Sequence, residues 1–544
     1  METRAPYGSN SRRYLTTIGI AILLTLLVVL ATWPPGMHID LFEYGHWLGP
    51  VAGMLSGRIP YRDIFPIHGF LADGGLDFFV FRLTGPSFAT SIWVRQAIGS
   101  LFQPAIFLVA VAVTRRPLLA AAMIPLGLPF ASGLVFDRAV LPLLGLAIFL
   151  YALDARRRPG PAAVAGVLGV LGVFYSLDFG AFVLAAELLC VVGLWLFERN
   201  HEVKLFAVKA YVAGVAGASL SAGIALLLVG ALGDFLEVSF IDLPLSIGSI
   251  WALKFPLPWE ILAAWMRGRD FMAFGTPPIG LAQALRLYAV PLTTVAALVL
   301  IGRAAPRAER ATLWRAVVLV LANAFWFRYV CGRFHYEAGN ALAIPTLLGA
   351  ATVSGTSGYF RRFDRFLTGT LAVIAALALG GLHLGAGVLQ SAARFTQRLS
   401  SCPGCVRLNV LRAGGPRVPA DEAARLVRLC AAVERLAPTG PILDLSNRPA
   451  LYFFLDRVNP TRFYQVPIME PFQAEVIHDL QRNPPSLVIL RSGTALDSLD
   501  GRRNSDRIPR VWAYITARYT RSESVDGNVF ALPPAPGLDS PRTR

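Results

Sequence analysis

Apolar runs long enough to cross a bilayer recur from residue 15 to residue 390, which excludes nearly every soluble architecture. Backbone inside hydrocarbon must satisfy its own N–H and C=O groups, so repeated runs of this kind read as bundled helices. About eleven are expected: 15–33, 90–113, 118–134, a fourth between Asp137-Arg138 and Asp154, then 161–176, 180–197, 206–231, 284–302, 316–330, 340–357 and 366–390. The fifth and sixth could also be read as one long hairpin. The chain has 544 residues, 55% hydrophobic and only 15% charged. With a mean hydropathy of +0.55, it is neither an ordinary soluble protein nor a disordered one.

A net charge of +16 would suit a nucleic-acid partner. The basic residues, however, fall in short clusters between spans: Arg115-Arg116, Arg156 to Arg158, Arg303 to Arg315, and Arg361 to Arg365. With Arg12-Arg13 placing the N-terminus inside, span alternation brings every one of these clusters to the inner face. Topology therefore explains the charge, and no nucleic acid is expected. The first run ends in Trp33-Pro34-Pro35 rather than a small-residue cleavage site, so it reads as a membrane helix and not as a signal peptide.

The expected fold is mainly α: residues 1–390 form a polytopic membrane bundle and a C-terminal soluble α/β domain follows. Residues 34–89 form an outer loop with two short interfacial helices, and 232–283 form a second outer loop rich in tryptophan. Residues 391–533 alternate helix-like segments (420–437, 470–482, 507–518) with strand-like ones (441–445, 486–490, 528–532), the pattern of a small α/β domain. The Pro-rich tail 534–544 reads as disordered. Five cysteines occur. In an oxidising compartment Cys402 and Cys405 read first as a structural disulfide, with Cys430 left over or exchanging partners. Redox catalysis would need a thioredoxin-like context, and zinc would need a second cysteine pair.

The first outer loop is the densest concentration of ionisable groups before residue 198. Asp40, Glu43, Tyr44 and Trp47 have the spacing of one helix face. A carboxylate there can take a proton from an acceptor hydroxyl; Asp40 and Glu43 are also placed as a capping box, and the two roles are compatible. Trp47, Leu48, Val51, Met54 and Leu55 make an apolar stripe suited to the membrane interface. Residues 70–84 are interrupted by Asp73, Asp77 and Arg82, and a central charge costs about 2.5–3.5 kcal/mol on insertion. Tyr61, Arg62, Asp63 and His68 sit in a rigid Pro/Gly turn. Asp63 and His68 are candidates for binding acceptor or donor phosphate, or for ordering the loop through an Arg–Asp pair. Asp137 and Arg138 lie at the outer end of the third and fourth spans, as a second carboxylate for a divalent cation, a charge partner, or an interfacial turn. Arg328, Arg333, His335 and Tyr336 cluster where the ninth span exits, suiting a lipid-linked phosphate or snorkelling anchors.

These residues, in this order, resemble the GT-C superfamily of membrane glycosyltransferases, the polyprenyl-phosphate-sugar-dependent enzymes related to protein O-mannosyltransferases and to aminoarabinose transferases for lipid A. The motifs carrying the resemblance are Asp40 with Glu43 after the first span and Gly57-Arg58-Ile59-Pro60-Tyr61-Arg62-Asp63 with His68-Gly69. Gly85-Pro86, Arg95 in the next span, Arg333-Phe334-His335-Tyr336 and Pro460-Thr461-Arg462-Phe463 complete them. The resemblance implies sugar transfer from a polyprenyl-phosphate donor to an acceptor hydroxyl on a lipid, glycan or protein. It places the enzyme in a bacterial inner membrane, with the N-terminus cytoplasmic and the C-terminal domain periplasmic. Asp40, with Glu43, would be catalytic; Tyr61, Arg62, Asp63, His68, Asp137 and Arg138 would bind substrate; Arg328, Arg333, His335 and Tyr336 would hold the donor phosphate. No cofactor is certain; a divalent cation is left open, because metal dependence varies in the superfamily. The alternatives are a transporter or flippase for lipid-linked saccharides, or a ligase-type protein. Against them stand the lack of an inverted repeat and the placing of charge in the first outer loop rather than a late one.

Overall fold

The computed structural model describes residues 7–32, 37–127, 137–153, 159–198, 208–246 except 245, 257–267, 288–332, 341–356, and 402–534 except 403 and 520. The membrane part is helical. It begins with α1 (Tyr7–Thr32), followed by α2 (Gly45–Leu55), α3 (Leu76–Thr84), α4 (Phe88–Gly99), α5 (Phe102–Thr114), α6 (Pro117–Gly127), α7 (Asp137–Ala152) and α8 (Pro159–Tyr175). Next come α9 (Leu177–Phe197), α10 (Lys209–Leu228), α11 (Leu232–Glu237), α12 (Pro258–Met266), α13 (Ala289–Ala304), α14 (Arg310–Gly332) and α15 (Ala343–Thr356).

Among the described residues, five helical stretches have the length and apolarity to cross a membrane: Phe88–Thr114, Leu177–Phe197, Lys209–Leu228, Val290–Arg307 and Arg310–Arg328. Shorter apolar helices cover Arg13–Val29, Pro159–Tyr175 and Ala343–Gly355. The eleventh expected span, 366–390, lies outside the described residues, as does most of the expected second outer loop, 232–283.

The fifth and sixth expected spans are separate helices. Ser176 between α8 and α9 is extended, and its N–H closes on Gly172 O at 2.8 Å. Glycine permits this tight return: a Cβ on Gly180 would lie 2.5 Å from Val173 N. The bundle core is aliphatic and aromatic, with Trp326 of α14 fully buried edge-on against Phe179 of α9 at 4.8 Å. One buried acid in it, Glu187 of α9, accepts from Tyr211 Oη of α10 at 2.8 Å.

The C-terminal part carries a short antiparallel pair, β1 (Cys405–Arg407) and β2 (Arg417–Pro419). It continues with α16 (Ala420–Leu436), β3 (Ile442–Asp444), α17 (Ala450–Leu455), α18 (Val466–Met469), α19 (Gln473–Arg482), β4 (Leu487–Arg491), α20 (Asn504–Arg507), α21 (Pro509–Arg518), β5 (Arg521–Val525) and β6 (Asn528–Leu532). The sheet order is β3-β4-β6-β5, parallel between β3 and β4 and antiparallel elsewhere. Helix α16 shows why these residues fold locally: Ala423, Leu426, Cys430 and Val433 recur on one face and are buried. Asp421 and Glu422 occupy its first turn and Arg435 its last, complementing the helix dipole. Cys402 and Cys405 are disulfide-bonded, and Cys430 is a buried free thiol.

One expectation is corrected. The apolar stripe of α2 does not face a membrane interface. Trp47, Leu48, Val51 and Met54 are buried in a core shared with Leu451, Phe453 and other residues of the C-terminal part. Glycines allow the approach: a Cβ on Gly49 would lie 2.8 Å from the Tyr464 ring and 3.1 Å from Pro449. Backbone hydrogen bonds stitch the same seam, from Met37 N to Arg417 O (2.8 Å), Phe65 N to Arg462 O (2.9 Å) and Ala450 N to Leu41 O (3.2 Å). Glu422 adds two more bonds, to His38 Nδ1 at 3.0 Å and from Ile39 N–H at 2.8 Å.

Candidate functional site

Asp40 stands at the head of the turn that leads into α2. Its Oδ1 accepts the N–H groups of Phe42 (2.9 Å) and Glu43 (2.8 Å), which is the geometry of a helix cap, although the regular helix begins only at Gly45. The Asp40 side chain is exposed. Three residues on, Glu43 Oε2 lies 3.9 Å from His46 Nε2.

From His46 the ionisable groups continue inward. The His46 and His68 rings meet edge to face, with centroids 4.9 Å apart. His68 Nδ1 lies 2.9 Å from Asp73 Oδ1, while Asp73 Oδ2 accepts the N–H groups of Ile67 (2.5 Å) and His68 (2.7 Å). The turn that makes this possible is a π turn, Leu71–Gly75, in which Gly74 has φ +102°. A side chain there would be strained, and its Cβ would press against the Trp47 carbonyl at 2.7 Å. Burial pushes the Asp73 carboxyl above its ordinary value, opposed by the two N–H groups and by the nearby charges of His46 and Arg138. From the C-terminal part, Gln465 Nε2 reaches His46 Nδ1 at 3.1 Å.

Beneath this group lies a second, fully buried one. Arg95 of α4 donates from Nη2 and Nε to Asp77 Oδ2 at 2.5 and 3.1 Å, from Nη1 to Asp137 Oδ2 at 2.9 Å, and from Nη2 to Ala72 O at 2.7 Å. Its guanidinium lies 4.2 Å from the Trp47 ring centroid. Ser91 Oγ links Trp47 Nε1 (3.0 Å) to Asp77 Oδ1 (2.5 Å), and Tyr175 Oη donates to Asp137 Oδ2 at 3.4 Å. Arg138 pairs with Asp178 at 3.2 Å.

The remaining expected site residues fall as follows. Tyr61 is buried, with φ +70°, edge-on to Phe235 at 5.0 Å; burial raises its hydroxyl well above the ordinary value. Arg62 and Asp63 form an exposed two-pronged pair at 3.2 Å, and Asp63 Oδ2 also accepts Ile59 N–H at 2.9 Å. Partial burial would raise the Asp63 carboxyl, but the Arg62 and Ile59 hydrogen bonds outweigh it and hold the group below its ordinary value. The loop-ordering role is therefore the one this pair visibly performs. Asp137 is committed to Arg95 and Tyr175. Arg328 is exposed near the C-terminal end of α14; Arg333, His335 and Tyr336 lie outside the described residues. Among the described residues no group of three or more His, Cys, Asp or Glu side chains is arranged to hold a metal ion. Sequence reasoning missed His46, Asp73, Asp77 and Gln465 as site members. The signal for Asp73 and Asp77 was the presence of carboxylates inside an otherwise apolar segment, since a buried charge needs a partner; His46 and Gln465 carried no such signal.

No protein-family model matches the chain, and no curated protein does. Among solved structures it is similar to the crystal structure of the Archaeoglobus fulgidus oligosaccharyltransferase in complex with zinc and sulfate. The identity is 12% and the TM-score 0.39, over 86% of this chain and 67% of that one. A likeness at this level establishes neither a common fold nor a common activity.

Proposed function

We propose that the protein is a membrane glycosyltransferase of GT-C type, moving a sugar from a polyprenyl-phosphate donor to an acceptor hydroxyl at the outer face of a bacterial inner membrane. The observation that carries this reading is the gathering of Glu43, His46, His68 and Asp73 beside the Arg95–Asp77–Asp137 group, where the first outer loop meets apolar helices. A lipid-linked donor needs both a hydrocarbon body for its chain and polar groups at the membrane edge for its reacting end. The motif order of the first loop supports the same class.

In this reading Asp40 is the base. Its Oδ1 is committed to the turn, which fixes the carboxylate and leaves Oδ2 to receive the acceptor proton. Glu43 is its neighbour on the same turn. Tyr61, Arg62, Asp63, His68, Asp137 and Arg138 shape or bind substrate. Arg328, Arg333, His335 and Tyr336 are assigned to binding the donor phosphate, on which charge grows as the anomeric C–O bond breaks. The C-terminal part forms the acceptor side.

The test uses purified protein in lipid, a panel of radiolabelled polyprenyl-phosphate sugars, and a membrane extract as acceptor. Asp40→Asn keeps an oxygen able to cap the turn, so it removes the base while sparing the fold. Transfer by wild type and none by Asp40→Asn is the expected result. Equal transfer by both refutes Asp40 as the base and moves that role to Glu43 or Asp63. Donor binding without transfer by wild type favours a transporter.

A further inference from the structure

The reading above gives His46 and His68, two of the three histidines at residues 34–89, no part in the proton transfers. His68 is the better defined. A carboxylate can only accept hydrogen bonds, and Asp73, 2% exposed, already accepts two backbone N–H groups on Oδ2. Its Oδ1, 2.9 Å from His68 Nδ1, therefore fixes the proton on that nitrogen. The atom of His68 that gains and loses a proton is Nε2, the arrangement by which a carboxylate orients an imidazole for acid–base work. A histidine serving only to tie the loop needs no second imidazole, yet His46 packs edge-on against it. Gln465, 1% exposed, reaches across from the C-terminal part to fix His46, and its own Oε1 is buried without a hydrogen-bond partner. Among the described residues, the charged and titratable groups near the pair include Glu43 before α2, Asp73 on the π turn, and Arg138 of α7, whose charge acts on Asp73 and which is paired to Asp178.

We propose that His68, positioned by Asp73, is the acid of the transfer reaction, delivering a proton from Nε2 to the departing polyprenyl phosphate. The inference rests on the glycosyltransferase reading. In the step, the bond between the anomeric carbon and the phosphate oxygen breaks and a bond from that carbon to the acceptor oxygen forms. The acceptor proton passes to the carboxylate base, and the His68 proton passes to a phosphate oxygen, leaving polyprenyl hydrogen phosphate and neutral His68. Proton return through water from base to imidazole resets the site. The dianion of a phosphate monoester takes up a proton near pH 6 and an imidazole near pH 6.5, so the transfer is close to balanced in energy. His46 and Gln465 act as positioning residues: His46 packs edge-on against the His68 ring, and Gln465 hydrogen-bonds to His46.

The experiment measures sugar transfer by the full chain in lipid between about pH 5 and pH 9, with the labelled polyprenyl-phosphate sugars described above. Wild type is expected to lose activity on an alkaline limb as His68 deprotonates. His68→Gln is expected to transfer about 100-fold more slowly and to lack that limb. Because His68→Gln also breaks a loop contact, Asp73→Asn serves as the second variant. Removing the carboxylate destabilises the imidazolium, so its alkaline limb moves to lower pH by about one unit. A purely structural role would lower the rate and leave the limb where it was. Wild-type transfer with the same rate and limb in His68→Gln, or an unmoved limb in Asp73→Asn, overturns the inference and leaves the glycosyltransferase reading standing. Absence of transfer by wild type from every donor overturns both.

Discussion

Replacing Arg95 with methionine is the sharpest structural perturbation available, because the residue holds the 34–89 segment to the bundle through partners from three elements. Its side chain and those of Asp77 and Asp137 are at most 2% exposed. Methionine keeps much of the length but removes every donor, so it strips the guanidinium from two buried carboxylates and from the Ala72 carbonyl, along with the stack on Trp47. Breaking a buried pair by removing one partner costs about 3–5 kcal/mol. Here the orphans keep some support: Asp77 still accepts from Ser91 Oγ and Asp137 from Tyr175 Oη. The expected loss therefore lies near the lower end, about 3 kcal/mol. Equilibrium unfolding in detergent micelles measures it. Adding Asp77→Asn and Asp137→Asn to Arg95→Met removes the orphaned charges and should recover more than half of the loss. A coupling energy of at least about 1 kcal/mol between Arg95→Met and Asp137→Asn is expected from a double-mutant cycle. An Arg95→Met protein within about 1 kcal/mol of wild type would refute the reasoning, since it would mean that the carboxylates do not depend on the cation.

Two further predictions concern the outer loop. Gly49→Leu places a Cβ 2.8 Å from the Tyr464 ring and should lift the C-terminal part from α2. The cost is about 1–3 kcal/mol, read as faster proteolysis around residues 400–420; an unchanged rate would count against the seam. Asp63, whose folded-state carboxyl sits below its ordinary value, should hold the Ile59–Asp63 turn at neutral pH and release it as pH falls through that lowered value. The stabilisation is complete above the ordinary carboxylate range, so protection of residues 57–66 should decline only in acid. Asp63→Asn should remove that acid dependence; an acid decline unchanged in the variant would place its origin elsewhere.

The elements readable from sequence were those whose signal is local. The helix at 420–437 and the strands at 441–445, 486–490 and 528–532 are observed within a residue or two of the expected limits, because each has its own periodicity. The β1–β2 pair and β5 were missed for the opposite reason. β1 (Cys-Val-Arg) and β2 (Arg-Val-Pro) carry charged residues and lack the apolar run that marks β3 (Ile-Leu-Asp), of the same length. Arg521–Val525, reading Arg-Ser-Glu-Ser-Val, owes its strand state to pairing with β6 rather than to apolar alternation. The α2 stripe was legible as apolar, but apolarity does not distinguish lipid from protein as its cover. Nothing near residue 50 announces that residues 449–464 will lie on it.

The same limit governs the site, and it shows what kind of site this is. Asp77 reads as an obstacle to membrane crossing because its partner is distant: Arg95 lies 18 residues from Asp77 and 42 from its other partner, Asp137. His68 and Asp73 are five residues apart across a non-helical turn, a spacing that matches neither helix nor strand. Gln465 meets His46 across 419 residues. Arg462, by contrast, stood out in the Pro460-Thr461-Arg462-Phe463 segment, and its contacts explain that prominence. Its carbonyl accepts Phe65 N–H, its guanidinium pairs with Asp242 at 3.5 Å and with Glu475, and it lies over the Phe65 and Phe463 rings. Arg462 thus ties the 34–89 segment, the turn after α11 and the C-terminal part together. Gln465, three residues further on, is held in reach of His46 by that tie. The C-terminal part is accordingly a wall of the candidate site: a change at Arg462 should propagate to His46, although the two residues belong to opposite ends of the chain.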